Sequence, residues 1–577
     1  MDEERKKLIR ETAATIFRCF VDYNEEFGAI TRRADRRFAE REWKLGQRDA
    51  VERIELYDRR VHSCVAGLVG PMGSAIADQA TWRLVRIEYS KLIADCVDNE
   101  FYKTFFNSLT RKAFNTVGVN SHVEYLAPDL APTLNGSEPP LSTFSADAGL
   151  EPAIVAMLRQ FPPHRAFRDR DGSVKQVVAE IEAYTGRRFA SPIGQIDVLT
   201  PVFYRATRAF LVGRISGGDW VSALVLALEN TDDGIVVDTV MMADYEVRNL
   251  FGFSRSYFHV DLPAVGAAVK FLGSMIPQKT VAEFYTVLGR AKQGKTERYR
   301  RLHKYLQDAD DQFIEADGEK GMVMIAFTLR DYGLIFKVIR DHFAYPKDTT
   351  RDKVMERYQF VFKHDRVGRL VDAQEFRRLR FAKQLFAGNL LEELLGEASD
   401  TCRVDGDDLI LEHCYIERRL RPLNLYLQEV DPAVARRAVI DYGQAIKDLA
   451  RTNVFPGDLL VKNFGVTRNG RVIFYDYDEL CLVTDCTFRD LPSARFEEDE
   501  MRAEAWFHVG KEDVFPEQFV NFLGMGAELR EAFLGHHADL MTADYWRDLK
   551  RRHEAEQLLE VVPYASRSAL PPNGLTT

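Results

Sequence analysis

Ile9, Thr12, Ala13, Ile16, Phe17 and Phe20 recur at helical spacing, as do Val51, Ile54, Leu56, Tyr57, Val61 and Val65. Residues 1–130 therefore predict helices, with Asp49 placed to cap the second of these two. Ala127 to Gly149, rich in Pro, Gly and Ser, predicts a long loop. Leu150 to Tyr184 predicts helix again, with a turn near Asp171-Gly172. The pattern then changes. AFLVGRI, WVSALVLAL and GIVVDTVMM, within residues 201–247, are β-rich runs separated by Gly- and Asp-containing turns, and they predict an antiparallel meander. Gly213-x-x-x-Gly217-Gly218 lies between two of them and looks like a nucleotide loop. Nothing at suitable spacing completes a site, so an ordinary hairpin is expected. Residues 263–309 return to helix and end in the basic segment KTERYRRLHKYLQ.

From residue 313 the order differs. MVMIAFTL and LIFKVIRD flank Arg330-Asp331-Tyr332-Gly333, a hairpin signal. Helices are predicted near 351–358 and 372–397, then a strand pair, CRVD and DLILEHCYIERRL. A strong helix at 432–451 precedes a short hairpin at 464–475. This is a small β-rich lobe, about 313–420, followed by a helical lobe, about 421–577. The tail from about Ser566 reads as loose. The fold class expected is α+β: a mainly helical region with a small β meander, 1–312, followed by a bilobal domain, 313–577.

Composition fits this picture. The 577 residues are 46% hydrophobic and 29% charged, which excludes a mainly disordered chain. The net charge of −10 gives no support to non-specific nucleic-acid binding, which needs a basic field. Cys19, Cys64, Cys96, Cys402, Cys414, Cys481 and Cys486 are scattered, without metal-site spacing. They read as reduced thiols of a cytoplasmic protein. No secretory signal or membrane-spanning run is apparent, so no membrane partner is expected.

The most informative stretch is FPGDLLVKNFGVTRNGRVIFYDYD, residues 455–478. Phosphoryl transfer from ATP needs a carboxylate to orient the attacking hydroxyl, and an amide oxygen plus a second carboxylate to hold Mg²⁺. Asp458 and Asn463 have the D-x-x-x-x-N spacing of a kinase catalytic loop. Asp476 ends an apolar strand where the Asp of a D-F-G motif would stand, and Asn469-Gly470 is a good turn between the two halves. The pattern also departs from ordinary kinases. Gly457 replaces the Arg of H-R-D, Lys462 sits four residues after Asp458, where it can neutralise phosphate charge, and Asp478 replaces the Gly of D-F-G. No A-P-E follows.

Upstream, Ala316-Asp317-Gly318-Glu319-Lys320-Gly321-Met322 is a glycine-containing turn whose backbone N–H groups could approach phosphates. Lys337 lies on the next strand but one, opposite in face to Phe336 and Val338, where a lysine can pair with the α- and β-phosphates. Glu356 is the candidate helix glutamate to hold it. His413 to Glu417 would supply the adenine-contacting hinge. Cys481 and Cys486 lie near this site without a neighbouring base to activate them.

With these residues in view, the chain resembles the isocitrate dehydrogenase kinase/phosphatase family. The resemblance is most specific in ADGEKGMVMIAFTLRDYGLIFKVIRDHFAYPKDTTR, VFKHDRVGRLVDAQEF and FPGDLLVKNFGVTRNGRVIFYDYDE. It implies an N-terminal regulatory domain, a C-terminal bilobal protein-kinase-like domain, 313–577, and one ATP–Mg²⁺ (or Mn²⁺) site that phosphorylates and dephosphorylates isocitrate dehydrogenase at the entry to the glyoxylate bypass. It also implies AMP and metabolites as allosteric ligands, and a homodimer. By resemblance, the ATP turn maps onto Ala316 to Met322 and the nucleotide lysine onto Lys337. The catalytic Asp maps onto Asp458, the metal ligands onto Asn463 and Asp476, and the extra acidic residue onto Asp478. Asp372, which spacing does not single out, maps onto an active-site position; its other reading is the N-cap of a helix at 373–386. A small-molecule phosphotransferase and a nucleotide-binding pseudokinase scaffold are the alternatives.

Overall fold

The computed structural model describes residues 3–126, 138–162, 166–252, 257–345, 347, 349–364, 366–492, 507–562 and 564. The expected loose tail and residues 127–137 of the expected loop lie outside these. The chain forms two compact units, with the division between Asp310 and Asp311; Val562 and Tyr564 belong to the first.

The first unit opens with four helices, α1 (Glu3–Ala39), α2 (Trp43–Met72), α3 (Gln79–Ile93) and α4 (Asn99–Phe114). Ile9, Ala13, Ile16, Phe20, Tyr23, Phe27 and Ile30 alternate spacings of four and three along α1, so one face is continuously buried. Asp49 caps nothing. It lies inside α2, buried, and accepts from Arg33 Nη1 and Arg37 Nε, both at 2.9 Å. Next come β1 (Leu141–Ser145), within the expected loop, and α5 (Leu150–Arg159) and α6 (Arg170–Thr185). The helix break falls before Arg170 rather than at Asp171-Gly172, which form the first turn of α6 under an Asp169 cap (Gly172 N to Oδ1, 2.8 Å).

The meander is present: β2 (Gln195–Leu199), β3 (Phe203–Arg205), β4 (Arg208–Gly217), β5 (Trp220–Thr231) and β6 (Gly234–Met241). Among the described residues the antiparallel sheet runs β1-β2-β4-β5-β6, with β3 also on β4. Leu224, Leu226 and Leu228 of β5 enter one core and Ala223, Val225 and Ala227 another. Both faces are covered, which is why these strands read as unbroken apolar runs. Gly213 to Gly218 is part of the β4–β5 hairpin. α7 (Asp244–Leu250), α8 (Val265–Met275), α9 (Val281–Val287) and α10 (Ala291–Asp308) complete the unit.

The second unit starts with β7 (Phe313–Glu315), β8 (Met324–Leu329) and β9 (Leu334–Ile339), then α11 (Arg351–His364), β10 (Gln374–Ala382), α12 (Gly388–Glu397), β11 (Cys402–Asp405) and β12 (Asp408–Arg418). Its antiparallel sheet runs β10-β12-β9-β8-β7, with β11 also on β12. Residues 374–382 are strand, not the predicted helix. Arg378 has a left-handed φ of 56°, and the buried set shifts from Gln374 and Phe376 to Leu379 and Phe381 across it. That shift produces the three-residue spacing from Phe376 to Leu379 that imitates a helix.

β13 (Arg421–Pro422) and α13 (Leu423–Glu429) lead to α14 (Pro432–Arg451), the predicted strong helix. β14 (Val454–Phe455), β15 (Phe464–Val466), β16 (Val472–Phe474), β17 (Cys481–Leu482), β18 (Thr487–Phe488) and β19 (Asp513–Val514) follow, with helices α15 (Phe519–Phe522), α16 (Ala527–His537) and α17 (Ala543–Glu554). Arg369 locks this region from within. Its guanidinium meets Asp448 Oδ2, both oxygens of Asp441 (each 2.8 Å) and the carbonyl of Val472 (2.9 Å). Burial opposes its charge, but the two carboxylates hold its pKa above the ordinary value.

Candidate active site

The site is assembled by short ladders. β15 and β16 pair around the Asn469-Gly470 turn, with Phe464 opposite Phe474. This places Asn463, just before β15, beside Tyr475, just after β16 (Tyr475 N to Asn463 O, 3.1 Å). β14 pairs with β17, Phe455 opposite Cys481, which brings the Asp458 loop alongside residues 476–480. The segment before β10 runs beside β16 (Val371 N to Phe474 O, 3.1 Å), and Tyr477 Oη donates to Val371 O at 2.7 Å. Asp372 therefore enters the same region, and since no helix starts at residue 373 its N-cap reading falls away.

Lys337 sits on β9, between β8 and β12, and is 9% exposed; it is not a water-facing edge lysine. Its Nζ lies 2.8 Å from Glu417 Oε2 and donates to the carbonyl of Tyr475, also at 2.8 Å. Tyr475 immediately precedes Asp476, so the sheet lysine is fastened to the acidic segment. Glu356 does not hold it: that residue is exposed on α11. The expected hinge at His413–Glu417 is corrected too. These residues lie within β12, paired to β10 and β9, and Glu417 spends its carboxylate on Lys337. The chain leaves the sheet after Arg418.

Asp458 accepts from Leu460 N at 3.1 Å, and Asn463 Nδ2 approaches the carbonyl of Asp458 at 3.5 Å. Gly457 explains the missing arginine of H-R-D. Its φ is 79°, and a Cβ there would lie 2.5 Å from Glu479 O. Only glycine lets the loop approach the acidic segment this closely. Lys462 reaches up to Glu319 of the Ala316–Met322 turn (2.8 Å). In that turn Asp317 meets Arg421 (2.7 Å), and Lys320 meets Glu315 (3.2 Å) and Glu393 (3.0 Å). Gly318 takes a φ of 112°, and Asp317 to Met322 are exposed.

Negative charge is concentrated here. Burial, then Glu479 and Asp476, raise the pKa of Asp458. Burial and Asp476 push Asp478 up to about 7. Burial also raises Glu417, with Asp476 and Asp372 adding to the effect against Lys337. Lys347, which sequence reasoning missed, faces this cluster. Its Nζ is 2.8 Å or less from one partner, Glu479 Oε1 at 2.7 Å, and the charges of Asp478 and Asp476 help raise its pKa although burial opposes it. It lies in a segment without periodicity, so no pattern marked it.

Residues 311–566 match the kinase domain of isocitrate dehydrogenase kinase/phosphatase, and residues 13–310 match its regulatory domain. The chain belongs to this family. The isocitrate dehydrogenase kinase/phosphatase of Xanthomonas campestris pv. campestris is 44% identical over 558 residues, covering 96% of each chain. That of an Anaeromyxobacter strain is 42% identical over 559 residues, covering 97% of each. That of an Acidovorax strain is 38% identical over 562 residues, covering 94% of this chain and 92% of the relative.

Among the described residues, no three His, Cys, Asp or Glu side chains form a metal-holding group, and no helix is long and apolar enough to cross a membrane. Asn463 and Asp476 carry hard oxygen donors, an amide and a carboxylate, that could hold a metal. Such a set suits Mg²⁺, which takes one or two carboxylates and shares its other positions with water and phosphates.

Proposed function

We propose that this chain transfers the γ-phosphate of Mg-ATP to a serine of isocitrate dehydrogenase and removes it again at the same site, setting carbon flow between the citric acid cycle and the glyoxylate bypass. The single observation that carries the reading is the fastening of Lys337 to Tyr475, beside Asp476, within a family whose named relatives are kinase/phosphatases.

Lys337, positioned by Glu417, takes the α- and β-phosphates. The backbone of Ala316–Met322 covers the nucleotide, and Lys462 moves from Glu319 to a phosphate oxygen. Asn463 and Asp476 would hold the metal, which would supply charge neutralisation for phosphoryl transfer. Asp458 orients the serine hydroxyl and accepts its proton. In the reverse direction Asp478, together with Asp372, orients water toward the phosphoserine. Catalysis rests on positioning and charge neutralisation, without a covalent protein intermediate. The same reading makes AMP an allosteric effector, and makes the enzyme a cytoplasmic homodimer.

The test is incubation with Mg-ATP and NADP-dependent isocitrate dehydrogenase, with phosphoserine located by mass spectrometry. Transfer to small metabolites alone would favour a different phosphotransferase, and nucleotide binding without turnover a scaffold. Asp478→Ala is expected to lower phosphatase activity more than kinase activity; equal losses would remove Asp478 from the water-orienting role.

A further inference from the structure

Two thiols stand in contact next to the carboxylate cluster and take no part in the chemistry above. Cys481 Sγ and Cys486 Sγ are 3.6 Å apart, and Cys486 Sγ also lies 3.5 Å from the carbonyl of Leu482. A single 3₁₀ turn, Val483–Asp485, separates them. Cys481 is part exposed and Cys486 buried. Both are free cysteines in the reduced chain.

We propose that Cys481 and Cys486 are a modification site, forming a reversible disulfide under a peroxide oxidant, and that closing it slows phosphoryl transfer at the adjoining site. The second half rests on the function proposed above; the bond itself does not. The more accessible Cys481 thiolate attacks the peroxide O–O bond, giving a sulfenic acid and releasing hydroxide. The Cys486 sulfur then attacks the Cys481 sulfur, its proton leaves with the sulfenic oxygen as water, and the S–S bond forms. Two thiols are oxidised and one peroxide is reduced to two waters. A dithiol reductant reverses the step by exchange. The hydrogen bond from Cys486 lowers the Cys481 thiol pKa despite burial, which favours Cys481 as the attacking sulfur.

The link to catalysis is the backbone. A disulfide needs about 2.05 Å between sulfurs, so the pair must close by roughly 1.5 Å. Cys481 is in register with Phe455, and the chain leads from that strand through Pro456 and Gly457 to Asp458. On its other side Cys481 follows Asp476, Asp478 and Glu479, with Leu480 between. Gly457 and Glu479 approach so closely that an added Cβ would fall 2.5 Å from Glu479 O, so movement of one segment is passed to the other.

The experiment uses the full chain, reduced and then treated with hydrogen peroxide, quenched, alkylated and digested with trypsin. Both thiols fall in one peptide, Val472 to Arg489. The expected product is that peptide unalkylated and two hydrogens lighter. Kinase activity should fall roughly tenfold or more, the cost of moving catalytic groups by about 1 Å. Dithiothreitol should restore both mass and activity. Cys481→Ser and Cys486→Ser should each keep their activity through the same peroxide treatment. A doubly alkylated peptide after oxidation would overturn the proposal, as would a closed disulfide with unchanged activity. If the reduced chain lacked transferase activity, the function and the slowing would both fall, while the peptide mass would still decide the bond.

Discussion

Replacing Glu417 by Gln keeps the side-chain shape and removes its charge. The carboxylate lies 2.8 Å from Lys337 Nζ, with Glu417 2% and Lys337 9% exposed. Deleting one partner of a buried ion pair costs about 3–5 kcal/mol. Gln still offers an acceptor, so the cost should fall to that of a charge-assisted hydrogen bond, about 1.5–3 kcal/mol. For a unit of this size each kcal/mol lowers Tm by about 2–4 °C, giving a drop of about 3–12 °C. Lys337 also loses the group that aims it. If the same energy is expressed at the nucleotide, ATP affinity weakens by about ten- to hundredfold. Scanning calorimetry reads the first effect and the ATP concentration dependence of transfer the second. Glu356→Gln, on the exposed face of α11, is the control and should stay within about 0.5 kcal/mol of the parent. A Glu417→Gln enzyme with unchanged Tm and ATP affinity, or a Glu356→Gln enzyme with equal losses, would refute the pairing.

Gly457→Ala forces a Cβ to within 2.5 Å of Glu479 O at a φ of 79°. It should fold with about 1–2 kcal/mol of strain yet lose about a hundredfold in kcat, checked by circular dichroism beside steady-state kinetics. Arg369→Met leaves Asp448 buried and Asp441 half-buried without their shared cation, so urea unfolding of the second unit should show a loss of about 3 kcal/mol. His303, half-buried on α10 with its ring centroid 4.2 Å from that of Tyr299, has its pKa lowered by desolvation from 6.5 to about 4. The unfolded chain binds its proton first, so this residue's contribution is lost as pH falls from 6.5 toward about 4, up to about 3 kcal/mol. Unfolding curves of a His303→Phe chain across that interval should lack this slope.

Strands β8, β9 and β12, the helix α14 and the β15–β16 hairpin were legible because each carries an uninterrupted local pattern. Asp458, Asn463 and Asp476 stood out because hairpin geometry makes a fixed spacing meaningful. What stayed hidden depends on non-local register or on unusual backbone. Arg378, at positive φ, broke the alternation of β10 and disguised it as helix. Glu417 could be read as a hinge residue because nothing local says that β12 pairs with β9 and sets it beside Lys337. Asp49 resembled a cap until α2 was seen to begin at Trp43. The absence of the H-R-D arginine looked like a simple loss, whereas Gly457 is required by the approach of Glu479. Lys347 and Asp372 reach the site through tertiary packing alone, and Asp372 was found only by family resemblance.

The most direct test of the central claim is a pulse and chase of labelled γ-phosphate from Mg-ATP onto purified NADP-dependent isocitrate dehydrogenase, with Asp458→Asn beside the parent chain. The account predicts label on a serine of the dehydrogenase, loss of labelling in Asp458→Asn by at least about a hundredfold, and release of label during the chase only while the nucleotide site is filled. Labelling that persists at the parent rate in a folded Asp458→Asn chain, or no labelling by a parent chain that binds ATP, would contradict it.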